Sequence, residues 1–215
     1  MKRVFLIILA ILCTAALSSC KGAEKGSTSS NAGTDEAQAV LAGFAEAMKK
    51  SDYAAASEYT TSPENFTICM NNFAGNAELV SAILGNSKLE SVEANPEGKG
   101  DTAFNVTVSA ADAAAIIQAT VDEYTAISSD IELYRAFIKA HPEADANPAK
   151  ANEILANEMQ QQCIVRCANP EAARVTKTVP VRLKSEGGKL KIISDTENGE
   201  FVKALSGGYF SVFTM

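Results

Sequence analysis

Apolar residues recur at Val40, Leu41, Phe44, Ala45 and Met48, which is one face of a helix. Thr34 is placed to cap it, with Asp35 and Glu36 in the first turn. Lys49 and Lys50 stand at the other end, where the helix dipole favours cations. Ser51 and Asp52 restart a helix through Tyr53 to Tyr59, and Ser62-Pro63 breaks it. Residues 64–86 read as further short helix ending at Gly85-Asn86. The period then changes to two. Phe104, Val106 and Val108 alternate with Asn105, Thr107 and Ser109, a half-buried strand. Asn95 to Gly100 is turn chemistry, so Lys88 to Ala94 is the preceding strand of a hairpin.

Three helices follow. Ser109-Ala110-Ala111-Asp112 has the spacing of a capping box and opens an Ala- and Ile-rich helix to about Thr125. Ser129-Asp130-Ile131-Glu132 is a second such box, leading into Tyr134, Phe137 and Ile138, with His141-Pro142 as the stop. Asn147 caps a third helix with Pro148 at its first position, ending near Cys167 before Asn169-Pro170. Strand pattern then returns. Val175, Val179, Val181 and Leu183 share a face, Glu186-Gly187-Gly188 turns the chain, and Lys189 to Ser194 comes back. A last helix from about Gly199 to Ser206 stops at Gly207-Gly208. The expected class is α+β: an antiparallel four-stranded sheet packed by helices, with a helical insertion between two hairpins.

The start of the chain is patterned differently. Lys2 and Arg3 precede the apolar run Val4 to Leu12 and small residues from Cys13 to Ser19. The run is shorter than the ~20 apolar residues that span a bilayer, so it reads as a secretory signal. Leu17-Ser18-Ser19-Cys20 resembles the lipobox of bacterial lipoproteins. That resemblance implies cleavage before Cys20, diacylation of its sulfur and acylation of the new amino group. The competing reading is an ordinary secretory signal with an incidental cysteine. Positive start, apolar core, lipobox and polar linker all agree on the first. Two or more acyl chains hold a protein stably at a membrane. Lys21 to Thr34 has no apolar residue larger than Ala and reads as a tether spanning roughly 20 Å. The organisation is then signal peptide 1–19, lipidated Cys20 and flexible linker to 34, and one α+β domain over 35–215. The last seven residues carry Tyr209, Phe210, Val212, Phe213 and Met215, and such an end is expected to dock and not to fray.

Charge narrows the partners. The 215 residues hold 19 Lys and Arg against 26 Asp and Glu, a formal charge of −7. Loss of Lys2 and Arg3 with the signal leaves 17 against 26, a charge of −9. An acidic chain of this kind is not built for nucleic acid, which demands a basic patch. An apolar content of 47% excludes wholesale disorder. A single histidine and no tryptophan argue against a histidine-rich metal site and a histidine-dependent hydrolase.

The pieces Ala47 to Ser57 (AMKKSDYAAAS) and Thr178 to Ile192 (TVPVRLKSEGGKLKI) resemble small secreted or lipid-anchored bacterial proteins of cystatin-like or nuclear transport factor 2-like fold. The resemblance covers the two ends of the body and leaves residues 110–168 unexplained. It implies a cone-shaped sheet packed by a helix. In some enzymes of that fold the cone holds an acid/base pair, for which Asp52, Tyr53, Tyr59, Asp112, Asp122, Glu123 and Tyr124 are the available side chains. The plainer reading makes Asp52 and Asp112 helix caps, and Asp122 and Glu123 a solvated face.

Cys69, Cys163 and Cys167 remain beyond the anchor. In an oxidising compartment one disulfide and one leftover thiol are plausible. Cys163 and Cys167 stand four apart on a helix, ~5–6 Å between Cβ atoms, which is too far for the 3.5–4.5 Å of a disulfide. Cys69 bonded to one of them is therefore slightly favoured, with three buried thiols as the blander alternative to any redox or metal role. His141 reads as a capping or loop residue. Asn65 and Asn105 match the N-glycosylation pattern without meaning in a bacterial lipoprotein, and Asp101-Thr102-Ala103 resembles a short O-glycosylation motif of Bacteroidetes. No cofactor, metal or catalytic residue is assigned. The leading expectation is a non-enzymatic cell-envelope lipoprotein, attached to a membrane by palmitate-type chains on Cys20, that binds a small ligand or an envelope protein. The alternative is an enzyme acting on a small hydrophobic or glycan-derived molecule between sheet and helices. Lys21, being not Asp, is compatible with outer-membrane sorting, and both membranes stay open.

Overall fold

The computed structural model describes residues 29–71, 76–97, 102–145 and 147–210. The signal segment, Cys20, Asp101 of the glycosylation motif and the last five residues lie outside them.

The first helix, α1, covers Ser29–Lys49 and buries Ala37, Leu41, Phe44, Ala45 and Met48 on the predicted face. It starts five residues before the expected Thr34 cap, so the expected linker is helical from Ser29 on. Once a turn is nucleated each further residue adds a hydrogen bond, and no proline stands in this stretch to stop it. At the other end the amide of Ser51 donates to Met48 O at 3.0 Å and that of Asp52 to Ala47 O at 3.0 Å. This is a Schellman closure, and it puts Ser51 at φ 54° where glycine is normal. The Ser51 hydroxyl is also buried with no hydrogen-bond partner. Ser51→Gly is expected to stabilise the fold by about 1 kcal/mol, read as a higher midpoint in urea with unchanged slope. A lower midpoint would contradict the closure described.

Short helices α2 (Tyr53–Ser57), α3 (Pro63–Asn71) and α4 (Ala77–Gly85) follow. Strands β1 (Lys88–Ala94) and β2 (Thr102–Ala111) form the first hairpin, with a bulge between Leu89 and Ser91. The insertion is α5 (Ala113–Ser129), α6 (Ile131–Ala140), a 3-10 turn (Pro142–Ala144) and α7 (Pro148–Ala168). Strands β3 (Arg174–Glu186) and β4 (Lys189–Ile192) and helix α8 (Thr196–Leu205) complete the chain. The sheet order is β1-β2-β3-β4, antiparallel throughout. The class is α+β with a helical insertion between two hairpins, as the patterning predicts.

Three further starts differ from expectation. Ser109 does not cap α5: it is in β2 opposite Thr176, and its hydroxyl accepts from Arg174 Nε at 3.0 Å. Pairing with β3 carries the strand on to Ala111, and Asp112 caps instead, accepting from the Ala115 amide at 3.2 Å. Likewise Asp130, not Ser129, caps α6, while Ser129 donates back to Thr125 O at 2.8 Å. Helix α8 starts three residues early because Asp195 supplies the cap. Asn147 caps α7 as predicted, accepting from Lys150.

Register places Phe104, Val106 and Val108 of β2 on one face with Val179 and Val181 of β3. Helices α1 and α8 pack there. The ring of Phe44 meets Phe66 edge-on at 5.5 Å and Phe201 at 5.9 Å. The opposite face carries Ser91, Asn105, Thr107, Thr178 and Pro180, all half-buried or exposed. The free edge of β4 is closed by the preceding chain: the Ile192 amide donates to Tyr59 O and the Thr61 amide to Ile192 O.

Candidate functional site

A cone-shaped ligand pocket would lie between the sheet and α1. That space is filled by side chains. Leu41, Phe44, Met48, Phe66, Phe104, Val106, Val181, Leu183 and Phe201 are each 0–2% exposed and form one apolar cluster. An interior filled by side chains in this way leaves no room for a ligand without cost. Phe210 is buried in the same cluster and Tyr209 packs against it, so the described start of the C-terminal segment is docked as expected. Glycine shapes part of the packing. A Cβ on Gly43 would come within 2.5 Å of the Tyr59 hydroxyl, so glycine at this position in α1 lets the Tyr59 ring approach the helix closely.

The acid/base candidates are not brought together. Asp52 caps α2, accepting from the Ala55 amide at 3.0 Å, and Asp112 caps α5. Asp122 accepts from Gln118 at 2.8 Å and Glu123 pairs with Arg166 at 2.6 Å. Tyr53 and Tyr59 pack at the edge of the main core. Each carboxylate thus does local structural work at its own place in the fold. Tyr124 alone keeps acidic neighbours. Burial, then the charges of Glu158 and Glu123, raise its pKa, so it stays a neutral phenol.

The cysteines are divided between clusters. Cys69 is half-buried against the main core, whereas Cys163 and Cys167 lie on the buried side of α7 in a second cluster with Leu79, Ile83, Ala113 and Ile164. No disulfide joins them among the described residues, which corrects the slightly favoured pairing of Cys69 with Cys163 or Cys167. Tertiary packing sets the separation, and spacing along the chain carries no trace of it. Burial pushes the Cys167 thiol up to about 11, with the neighbouring Cys163 adding to the rise. Cys163 is also raised by burial, against the opposing pull of Thr120 and Arg166. Such thiols are poor nucleophiles. A raised folded-state pKa means that the unfolded chain ionises first, so the stability tied to neutral Cys167 is present below pH 9 and fades toward pH 11. Unfolding midpoints followed across that range should fall less steeply in Cys167→Ala than in the parent; identical slopes would contradict the assignment.

His141 caps the end of α6 through its backbone amide, as expected. Its ring stacks on Phe137 at 4.8 Å, and its Nε2 lies 2.9 Å from Glu158 Oε1 on α7, with Glu143 at 3.7 Å. Glu158 was not legible as a partner, because nothing in its local sequence marks it. Arg166, which reaches both Thr120 and Glu123 on α5, was equally silent.

Open clefts lie away from the sheet. One of about 530 Å³ runs between α4 and α7, lined by Glu78, Ser81, Ala82, Asn86, Ile164 and Ala168. A smaller one of about 190 Å³ separates α5 from α7 beside Tyr124 and Met159. Neither collects convergent charges. Ile131 and Leu133 on α6, Ile68 on α3 and Val165 on α7 are large apolar side chains left exposed. Among the described residues no group of three His, Cys, Asp or Glu side chains is placed to hold a metal, and no helix is long and apolar enough to cross a membrane. No protein-family model, no curated protein and no solved structure matches the chain.

Proposed function

We propose that this protein is a cell-envelope lipoprotein, held on the extracytoplasmic side of a membrane through acylated Cys20, whose single α+β domain binds a ligand or envelope protein without catalysing a reaction. The observation that carries the non-catalytic part is the filled face of the sheet. The space where a cone-shaped fold keeps its substrate is occupied by Phe44, Phe66, Phe104 and Phe201. The candidate acids, meanwhile, serve as caps and surface pairs. Binding then falls to the outside of the domain. The resemblance to cystatin-like or nuclear transport factor 2-like lipoproteins is part of the same proposal.

Support for the anchor is the sequence Leu17-Ser18-Ser19-Cys20 after a positive start and an apolar run. The experiment is metabolic labelling with radiolabelled palmitate in a bacterial host. The parent chain is expected in the membrane fraction carrying label. Cys20→Ala is expected to lose the label and its membrane attachment. Label retained by that variant would overturn the lipobox reading.

A further inference from the structure

We infer that α6 opens as a unit while the sheet and its covering helices stay folded, and that the contact between His141 and Glu158 is its latch.

Among the described residues the buried apolar side chains form three clusters. Those of the sheet and of the α4–α7 contact both include Tyr209 at their border. The third contains Phe137, Ala144, Ala151 and Leu155, with Tyr124, Ile127, Tyr134, Ile138 and Ile154 around them, and shares no residue with the other two. A polar band separates it from the second: Arg166 of α7 holds Thr120 and Glu123 of α5 at 3.1 and 2.6 Å. Apolar contacts carry cooperativity between parts of a fold, and among the described residues no apolar side chain belongs to the clusters on both sides of that band. Units of this kind open below the global unfolding free energy.

Within the third cluster α6 is the lightly held member. Its one buried side chain is Phe137 at 7% exposure, and Ile131 and Leu133 are 65% and 46% exposed. It is bounded by non-helical residues on both sides, Asp130 at φ −99°, ψ 126° and His141 at φ −125°, ψ 72°. These are the places where a rigid segment turns. What crosses from its end to α7 is His141, which faces Glu158 and Glu143 and rests on the ring of Phe137. Opening would uncover Tyr134, Phe137 and Ile138 beside the already exposed Ile131 and Leu133, making one apolar surface out of two.

Native-state hydrogen exchange on the full chain, with low concentrations of denaturant, tests this. Amides of Tyr134 to His141 are expected to exchange through an opening with a small denaturant dependence, well ahead of the amides of β2 and β3. His141→Gln is expected to speed exchange in α6 by about tenfold, as loss of one net hydrogen bond would. Asp130→Ala, which removes the cap, should do so by about fivefold. Both should leave β2 and β3 unchanged. Exchange of α6 and β2 amides with one shared opening free energy and one denaturant slope would overturn the separate unit. Unchanged α6 exchange in His141→Gln would overturn the latch.

Discussion

Gly207→Ala is expected to cost about 3 kcal/mol or more, enough to remove a large part of a typical domain's stability. Two costs combine. Gly207 holds φ 55°, a left-handed conformation that costs an L-residue about 1–2 kcal/mol. An added Cβ would also fall 1.7 Å from Ala111 O and 2.9 Å from the Ala113 amide nitrogen. Both are backbone atoms at the junction of β2 and α5, so no side chain can swing aside. Overpacking of this kind adds about 1–3 kcal/mol. The position is fixed from two directions. The Gly207 amide donates to Ala204 O and the Gly208 amide to Lys203 O, closing α8, while Gly207 O accepts from the Ala114 amide at the start of α5. Gly208→Ala is the control. It shares the positive φ, but its Cβ would meet only the Ala114 side chain at 3.3 Å, so its cost should be smaller. Urea midpoints of the two variants decide it, and equal losses would contradict the contact with Ala111.

Asn198→Leu should be comparably damaging, at about 3–5 kcal/mol. Asn198 is fully buried in α8 and completes the sheet where β4 ends. Its Oδ1 accepts from the Arg182 amide at 2.8 Å, and its Nδ2 donates to Arg182 O at 2.8 Å and Ile193 O at 2.7 Å. The side chain thus satisfies backbone groups of Arg182 in β3 and of Ile193 just past β4, beyond the last pair of that ladder. Leucine would leave the Arg182 amide and Ile193 O without partners, at about 1–3 kcal/mol per group, while Arg182 O keeps the Ile193 amide at 3.1 Å. Asn198→Asp keeps the acceptor but turns a carboxylate toward two carbonyls. Ionisation is then disfavoured in the fold, so the stability of that variant should improve as pH falls through the carboxylate range. A Leu variant within 1 kcal/mol of the parent, by calorimetry or urea, would contradict the role given to this amide.

What was legible in the chain is what short-range chemistry decides. The alternation of Phe104, Val106 and Val108, the caps Asp52 and Asn147, and the turn at Gly187-Gly188 all express local rules and stand as expected. The misreadings lie where distant parts meet. Ser109 has the spacing of a cap, but Arg174 and the β3 ladder claim it for the strand. Asn198 and Gly207 look like an ordinary polar helix residue and an ordinary helix stop; their weight comes from Arg182 and Ala111, 16 and 96 positions away. The same holds for the candidate site. Asp52 and Asp112 were legible as caps, and His141 as a helix end, whereas its partner Glu158 was not. Whether the sheet face would be hollow or filled also had no local signature, because it depends on how Phe44, Phe66 and Phe201 converge from three helices.

Xenon under pressure tests that filled face directly, because this small apolar gas enters dry cavities in protein interiors. NMR methyl signals of Leu41, Met48, Val106 and Leu183 would be followed as pressure rises. Only a shallow, linear drift shared with exposed methyls is expected. Saturable shifts confined to these core methyls would reveal a cavity between sheet and helix, and would contradict the filled face.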